Sequence, residues 1–573
     1  MSENKQILRP DGQPWGRDSR QRHLMSQGDI LYVAQQLESQ RIPFIVNVGH
    51  GDDPFLDIQT VEMLLNAAPN MCLGLNVTET EGAEKAPYFI EHFVRPLLDL
   101  CVDHGNKLFI MDEKNTWWAS IAAIPEIRDI LFDPKYRDVL IPSVEDSNSR
   151  TPDLNLAARV GLWLNGSVNR WGCRMAADWF SFSRAWEWEY PMSGHPHLRY
   201  FISHMSLGAS VFTMSIGAIT RDGYFARNHF EAITPFLHML GKGIIAPPVR
   251  DQLRSISPVV LSVEQPTDRF HTSGHNGHYL SIYNAADLQE HVFSRLDCYW
   301  GITPTPIWDP AAYLWGRSRQ FGNHVPKTPY GYVAVLADTL RETGAMHWDS
   351  QWVTDGDWFY KDAQMISALA GRSELESTVA ESVNDFPIRI AGDIFYQVVE
   401  PDSNRFLAYL ADPGWIDPSD RVVHIEPKSG GPWYVLNRLT GDVLGTLDAK
   451  LTTTVPAGTP MILEITTDIP TALTELEVTN PLSFQLRRTY PNPFNNDVAI
   501  EIVLPNTADI ILDIYNILGQ RVRRLVNGQT EAGIHTLRWN GSNDQGRACA
   551  TGVYLLRLVS DDAMRTAKVL LLR

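Results

Sequence analysis

Two pairs of acidic residues stand directly behind short apolar runs in this sequence. Asp112 and Glu113 follow the run LFIM, and Glu145 and Asp146 follow VLIPSV. A short apolar run is typical of a strand buried on both faces, so each pair falls where a strand leaves a sheet. Two carboxyl groups in different environments can divide a proton transfer between an acid and a base. The sequence therefore predicts an active site built on carboxylates.

Glu113 is the first candidate for a general acid. Trp117 and Trp118 follow it at short spacing, and an apolar wall raises the pKa of a neighbouring carboxyl group by removing water. A glutamic acid with a raised pKa keeps a proton that it can donate. By strand alternation Asp112 faces the opposite side, which makes it the weaker candidate. The alternative for Glu113 is a structural ion pair with Lys114 or a non-catalytic position at the edge where the strands end.

Three further carboxylates at predicted strand ends are candidates for the base or nucleophile. Glu145 stands beside Asp146, and the alternative for this pair is an N-cap or a solvated loop. Asp178 ends the run GCRMAAD, with Arg174 four residues upstream, and the alternative is a buried aspartate paired with that arginine. Glu264 follows the last predicted strand of this region.

Aromatic and basic residues near these acids are predicted to bind a ligand. Aromatic rings pack against the C–H faces of sugars. The segment WEWEY alternates tryptophan with glutamate, so an extended chain would present Trp186 and Trp188 on one face. Core packing is the alternative for the tryptophans, and loop solvation is the alternative for His50. The predicted substrate-binding residues are His50, Trp117, Trp118, Arg174, Trp179, Trp186 and Trp188.

No metal site or cofactor is predicted. The five cysteines are scattered, without CxxC spacing. Histidines in His271–His278 (HTSGHNGH) have a spacing that metals use, but no carboxylate pattern accompanies them, which favours a polar loop. The sequence contains no GxSxG, HExxH or P-loop motif, so no local motif indicates a serine hydrolase, a zincin or an NTPase.

Charge and hydropathy narrow the possible partners. The 573 residues carry a net charge of −18, which argues against nucleic acid because no basic stripe is available to neutralise phosphates. No apolar run reaches the length of about 18 residues that a membrane span requires. The first residues, MSENKQILRPDGQPWG, are polar and do not form a signal peptide.

Predicted strands and helices alternate through the first half of the chain, roughly every 30 to 45 residues. This order is typical of a parallel α/β fold. A doubly wound open sheet is one architecture with this order of elements. It usually carries a glycine-rich phosphate-binding turn after its first strand, but the first turn here, GHGDDPF, lacks the GxGxxG order. A (β/α)8 TIM-like barrel, in which all strands end at one rim, is therefore predicted. The predicted strands are 42–50, 71–77, 108–113, 139–146, 172–178, 209–217, 257–263 and 330–336.

Composition shifts divide the chain into four segments. Residues 1–365 form the predicted barrel domain, and its part 270–365 is rich in Trp, Tyr, His and Pro, as in long functional loops. Short alternating runs predict a β-sandwich at 366–468. A Thr- and Pro-containing linker at 469–482 precedes an all-β module at 483–573.

The last module carries a recognisable set of motifs. These are YPNPFN at 490–495, IYNILGQRVRRL at 514–525, AGIHTLRWNG at 532–541 and TGVYLLRL at 551–558. In this order they resemble the FlgD-like immunoglobulin fold, the C-terminal sorting domain of type IX secretion cargo. The resemblance implies an Ig-like sandwich, export to the surface or medium of a Gram-negative bacterium, and the secretion machinery as a partner. The polar start without a signal peptide departs from that expectation.

An exported chain with an acid-rimmed barrel and a trailing sandwich resembles polysaccharide-degrading glycoside hydrolases, in layout the family 98 endo-β-galactosidases and xylanases. The resemblance implies endo-acting hydrolysis. One protonated carboxyl group would donate to the leaving oxygen, while a second, ionised one would activate water or attack the anomeric carbon.

Two other function classes stay open. A polysaccharide lyase would use Tyr, His and Arg around a uronate and release an unsaturated product; the His- and Tyr-rich stretch 270–350 fits this class. A non-catalytic surface protein would bind glycans, and its behaviour would not change in the variants Glu113→Gln and Glu145→Gln.

Overall fold

The chain divides into two compact units in the computed structural model. The first comprises Met1–Leu439 and Val443–Ile469, and the second comprises Thr440–Asp442 and Pro470–Arg573. The structure describes residues 7–13, 15, 25–51, 53–80, 86–113, 117–121, 124–144, 153–175, 196–214, 233–254, 256–263, 332–337, 352–354, 359–361, 364–366, 370, 374, 388–392, 394–412, 419–427, 432–447, 450–468, 484–490, 494–495, 497–504, 506–560 and 563–572.

A mainly parallel sheet forms the first half of the α/β region. All five residues of its strand β5 and all but the first residue of β4 are buried, which is why both appear as apolar runs in the sequence. The sheet order is β2-β1-β3-β4-β5, and only the short β2 is antiparallel to its neighbour. The strands are β1 (Phe44–His50), β2 (Asp53–Pro54), β3 (Cys72–Thr78), β4 (Leu108–Glu113) and β5 (Leu140–Val144).

A glycine allows β3 and β4 to approach each other at their start. Gly74 is paired in register with Leu108, and a Cβ atom on Gly74 would lie 2.1 Å from the Leu108 carbonyl oxygen. Any side chain at this position would therefore push the two strands apart. Their carboxyl ends, which carry the predicted acidic pair, depend on this contact for their alignment.

Helices connect the strands and cover the sheet. Ser26 and Asp29 form a capping box that starts the first helix: the Asp29 N–H donates to Ser26 Oγ, and the Ser26 N–H donates to Asp29 Oδ2. Among the described residues, no helix is long and apolar enough to cross a bilayer. The helices are Gln27–Ser39, Ile58–Ala67, Ala86–Phe89 continuing through the π-helical turn Ile90–Val94 into Arg95–Asp103, Trp117–Ile121, Pro125–Leu131, Asp153–Leu164, Pro196–Ser206 and Thr234–Gly241.

Further parallel strands follow along the chain. Strand β6 pairs with β7, and β8 lies between β9 and β10, parallel to both, before two antiparallel strands extend this sheet. The α/β class of the N-terminal region is thereby confirmed, while the closed eight-stranded barrel stays a prediction. The strands are β6 (Gly172–Met175), β7 (Val211–Met214), β8 (Ile256–Val263), β9 (Tyr332–Ala337), β10 (Trp352–Thr354), β11 (Phe359–Lys361) and β12 (Gln364–Ile366).

Several predictions fall outside the described residues. These are the strand ends 145–146, 176–178 and 215–217, most of the aromatic-rich stretch 270–365, and the linker 469–482.

Two antiparallel sheets follow, in the orders β13-β16-β19 and β14-β15-β20-β17-β18. Buried apolar side chains from both sheets form one core, including Ile425, Val435 and Leu463. Alternating runs in the sequence predict six of these strands, at 395–399, 405–410, 422–425, 433–437, 451–455 and 460–465, and all six are confirmed, whereas β13 and β18 are not predicted. The strands are β13 (Ile388–Ala391), β14 (Phe395–Asp402), β15 (Arg405–Ala411), β16 (Arg421–Pro427), β17 (Trp433–Asn437), β18 (Val443–Leu447), β19 (Leu451–Val455) and β20 (Pro460–Thr466).

The second unit is also a pair of antiparallel sheets, in the orders β21-β22-β25 and β24-β23-β26-β27. Trp539 and Tyr554 lie in its core with ring centroids 5.0 Å apart. Their polar atoms are satisfied, because Trp539 Nε1 donates to the Ser542 carbonyl and the Tyr554 hydroxyl donates to the Ala550 carbonyl. The strands are β21 (Gln485–Tyr490), β22 (Val498–Leu504), β23 (Ala508–Asn516), β24 (Arg521–Thr530), β25 (Gly533–Trp539), β26 (Gly552–Ser560) and β27 (Ala563–Leu571).

Candidate active site at the carboxyl ends of the parallel strands

The carboxyl ends of the four parallel strands β1, β3, β4 and β5 meet at one edge of their sheet. His50 at the end of β1 is paired in register with Thr78 at the end of β3. Thr78 is paired with Asp112 on β4, and Glu113 is paired with Val144, the last residue of β5. The ends of strands that are distant in sequence are therefore brought together here, as the sequence predicted for a carboxylate site.

Glu113 lies at this edge with no solvent-exposed surface. Both of its carboxyl oxygens are bound by one residue, Thr80, which follows β3. The Thr80 backbone N–H donates to Oε2 and the Thr80 hydroxyl oxygen lies by Oε1, each at 2.7 Å. Thr80 is itself 4% exposed, so the carboxyl group and its partner are both shielded from bulk water.

Burial raises the pKa of Glu113 well above its usual range, because removing water disfavours the charged carboxylate. The hydrogen bonds from Thr80 oppose this rise, and the negative charges of Asp112 and Glu79 add to it. A carboxyl group in such an environment holds its proton to higher pH than an exposed glutamate. This is the environment that a general acid requires.

Asp112 takes part in a separate polar network on the other face of β4. Its Oδ1 accepts a hydrogen bond of 3.0 Å from Ser143 Oγ, and Arg174 Nε on β6 lies 2.7 Å from its Oδ2. The Ser143 carbonyl accepts a hydrogen bond of 2.8 Å from Trp118 Nε1. Asp112 is 1% exposed, so this ion pair is largely shielded from water. The network fixes β4, β5 and β6 relative to one another beneath Glu113.

A second carboxylate, that of Glu79, follows the end of β3. Glu79 carries one of the charges that raise the pKa of Glu113, and its Oε2 lies 3.6 Å from His50 Nε2. Glu79 also adopts a left-handed backbone conformation with φ of +55°, which is uncommon for a residue other than glycine. Such conformations occur where the surrounding structure compensates for their cost, often at functional sites.

The structure describes five of the residues predicted for the site. Glu113 and His50 lie at the shared edge, and Arg174 on β6 lies against Asp112 on the other face of β4. Trp117 is half-buried, with its ring centroid 4.9 Å from that of Trp118. Trp118 has no exposed surface, and its indole anchors the Ser143 carbonyl, so its burial favours a structural role over a sugar-stacking one. The predicted residues Glu145, Asp178, Glu264, Trp179, Trp186 and Trp188 lie outside the described residues.

Two residues that the sequence analysis did not select contact the acidic pair: Thr80 binds Glu113, and Ser143 binds Asp112. A third, Glu79, pairs with His50, and its charge raises the pKa of Glu113. The sequence contains one signal for these residues. Thr78-Glu79-Thr80-Glu81 directly follows the predicted strand 71–77, just as Asp112 and Glu113 directly follow the apolar run of the next predicted strand. Polar residues behind two neighbouring parallel strands share one edge.

Comparison with known proteins places the chain in a family. A family model described as the lambda-carrageenase middle domain matches residues 12–346, more than half of the chain. The lambda-carrageenase of Pseudoalteromonas carrageenovora is 26% identical over 417 residues, covering 69% of this chain and 43% of that relative. A lambda-carrageenase of Pseudoalteromonas sp. matches to the same extent. The chain therefore spans less than half of the length of these curated relatives.

Two further likenesses concern particular parts of the chain. The catalytic module of a family 98 glycoside hydrolase from Streptococcus pneumoniae TIGR4 is similar in structure, with a TM-score of 0.46 and 11% identity, covering 88% of this chain and 74% of that chain. The FlgD Ig-like domain model matches residues 494–563, which confirms the resemblance predicted for the last module. By the match over residues 12–346, the chain belongs to the family described as the lambda-carrageenase middle domain.

Proposed function

We propose that this chain is an endo-acting glycoside hydrolase that cleaves glycosidic bonds in a sulfated galactan of the carrageenan type, with Glu113 as the general acid. The observation that carries the proposal is the buried carboxyl group of Glu113, held at the carboxyl end of a parallel strand by two hydrogen bonds from Thr80. Hydrolysis of a glycosidic bond requires one carboxyl group that is protonated when substrate binds. The named activity of the relatives supports the choice of substrate.

The second, ionised carboxylate is proposed to come from Glu145, Asp178 or Glu264. Support for Glu145 comes from the register of β4 and β5, because it directly follows Val144, which is paired with Glu113. Support for Asp178 comes from Arg174, four residues before it, which lies against Asp112. The proposed barrel would bring all these strand ends to one rim.

Substrate contacts are proposed for His50, Arg174 and Trp117 at the same edge, and for Trp179, Trp186 and Trp188. A polyanionic galactan approaching a chain with a net charge of −18 needs local cationic groups to offset the repulsion. Arg174 would supply such a group, His50 would supply one in its protonated form, and half-buried Trp117 would supply an aromatic face.

Reducing-end release from lambda-carrageenan tests the activity. We expect the wild-type chain to produce new reducing ends while the mean chain length falls early in the reaction, as endo-cleavage requires. Chemically desulfated polysaccharide should be cleaved more slowly, and product absorbance from an unsaturated sugar should be absent. An unsaturated product would identify a lyase, and binding without new reducing ends would identify a glycan-binding protein; either result would contradict the proposal.

We further propose that the protein is exported and that its Ig-like C-terminal domain is the sorting signal read by type IX secretion machinery. The FlgD Ig-like match at 494–563 supports this assignment. In a Gram-negative host with that machinery, deletion of 484–573 should keep the protein inside the cell, whereas the full-length Glu113→Gln variant should be exported like wild type. Export of the deleted chain at the wild-type level would contradict this role.

A further inference from the structure

A single residue contacts both oxygens of the proposed acid. Thr80 reaches this position because the chain turns sharply after β3. The Glu79 N–H continues the strand pairing by donating to the Asp112 carbonyl at 2.9 Å, and the left-handed conformation of Glu79 (φ +55°) then redirects the chain. Both the N–H and the hydroxyl of Thr80 consequently face the Glu113 carboxyl group.

We propose that Thr80 is a positioning residue for Glu113, which makes Oε1 the oxygen that carries and releases the proton. The inference rests on the proposed role of Glu113 as general acid. A backbone N–H can only donate, so Oε2, which accepts from it, has no place for a hydrogen on that side. A hydroxyl can donate or accept, so a proton on Oε1 leaves both contacts with Thr80 intact: Oε1–H donates to the hydroxyl oxygen, and Oε2 still accepts from the N–H.

Proton release reverses one hydrogen bond without moving any heavy atom. In the acid form, Oε1–H donates to the Thr80 hydroxyl oxygen. When substrate binds, the Oε1–H turns from Thr80 to the leaving oxygen; as the bond breaks, the proton goes to that oxygen and its electron pair stays on the carboxylate. The Thr80 hydroxyl then turns its own hydrogen towards Oε1, and both of its donors stabilise the new negative charge. A charge-assisted hydrogen bond of this kind is stronger than its neutral counterpart.

The negative charges around Glu113 oppose its ionisation, and the hydroxyl of Thr80 counteracts them by stabilising the carboxylate. Asp112 on the same strand and Glu79 beyond β3 both raise the pKa of Glu113, and burial raises it further. Arg174 from β6 and His50 from β1 lie against Asp112 and Glu79, respectively. Thr80 is the group that lowers the pKa of Glu113 by contacting the carboxylate itself. Without the hydroxyl, Glu113 would hold its proton too tightly to release it readily.

Three variants of the full chain test the proposal. Thr80→Val removes the hydroxyl and keeps the backbone donor, and Thr80→Ser restores the hydroxyl. Thr78→Val is the matched control, because Thr78 is the last residue of β3, two positions before Thr80, is 2% exposed, and has a hydroxyl without a hydrogen-bond partner among the described residues. Difference infrared spectroscopy follows the protonated carboxyl band of Glu113 against pH, with Glu113→Gln identifying the band. The alkaline limb of kcat/KM on the polysaccharide is measured in parallel.

We expect Thr80→Val to move the titration midpoint of Glu113 and the alkaline limb upward by about one pH unit or more, the size expected for loss of a hydrogen bond to a charged group. Thr80→Ser and Thr78→Val should remain near wild type. An unchanged Glu113 midpoint in Thr80→Val would overturn the positioning role. A shifted midpoint in a protein that does not cleave the polysaccharide would support the role of Thr80 and overturn the proposed hydrolase function.

Discussion

Replacement of Glu113 by glutamine is expected to lower kcat on the polysaccharide by about 10²- to 10⁴-fold, the usual contribution of general acid catalysis. The amide has no proton that it can donate at neutral pH, but its shape is almost the same as that of the carboxylic acid. Its carbonyl oxygen can accept from the Thr80 N–H, and its NH₂ group can donate to the Thr80 hydroxyl. The variant therefore reproduces the hydrogen bonds of the protonated acid and lacks only its proton. Initial rates of reducing-end formation provide the measurement.

Unfolding temperatures distinguish a loss of catalysis in Glu113→Gln from misfolding of the variant. Since the pKa of Glu113 is raised by burial, the unfolded chain loses this proton at lower pH than the folded chain does. The contribution of Glu113 to stability therefore falls as pH rises above the pKa of an exposed glutamate, about 4.3. Glutamine does not ionise, so Glu113→Gln does not lose this stability as pH rises. The unfolding temperature of the variant, measured relative to that of wild type, should therefore increase from acidic to neutral pH.

The matched control is Glu62→Gln, the same change at an exposed position of helix Ile58–Ala67. It should leave kcat unchanged, because Glu62 is exposed on a helix away from the strand ends. Wild-type kcat in Glu113→Gln would remove Glu113 from the mechanism, and loss of activity together with a low unfolding temperature at every pH would assign it a structural role instead.

Replacement of Asp412 by alanine is expected to lower the free energy of unfolding of the first unit by about 3 to 5 kcal/mol, the typical cost of leaving a buried charge without its partner. Asp412 follows β15 and has no exposed surface. It lies 3.8 Å from Nη1 of Arg199, which is 1% exposed and comes from helix Pro196–Ser206, and it also accepts a hydrogen bond from Arg421. The backbone N–H groups of Ser419 and Gly458 donate to its other oxygen. The cluster thus joins the α/β region to the first pair of antiparallel sheets.

Chemical denaturation of full-length variants measures this cost. Asp402→Ala is the control, because Asp402 pairs with Arg405 on the surface and is about half exposed, where an ion pair contributes about 1 kcal/mol or less. Adding Arg199→Met to Asp412→Ala should recover part of the loss, since it removes the buried charge left without a partner. Equal destabilisation by Asp412→Ala and Asp402→Ala would contradict the assignment.

The strands around the site were predictable because their burial is visible in the sequence. A strand such as β4, with almost every residue buried, requires an apolar run, and the chain must return to polar residues where the sheet ends. This pattern, together with Trp117 and Trp118 nearby, makes Glu113 a candidate. Strand β18 was not predicted because it lies at a sheet edge, exposes Val443, and contains Gly445 in a left-handed conformation, so it lacks a clear apolar alternation.

The contacts between strand ends could not be predicted because they depend on backbone geometry and register. Thr80 reaches Glu113 only through the left-handed conformation of Glu79, which no glycine signals in the sequence. Arg174 lies against Asp112 on another strand, a contact that its position four residues before Asp178 does not indicate. The closed barrel and the roles of Glu145, Asp178 and Glu264 stay predictions.

The proton-donor role of Glu113 is tested most directly by comparing wild type and Glu113→Gln on two substrates that differ only in their leaving group. One is a carrageenan oligosaccharide, whose leaving sugar needs a proton, and the other is the dinitrophenyl glycoside of the same sugar chain, whose leaving group departs without one. We predict that Glu113→Gln loses about 10²-fold or more in kcat on the oligosaccharide and keeps nearly wild-type kcat on the aryl glycoside. Equal losses on both substrates would contradict this role.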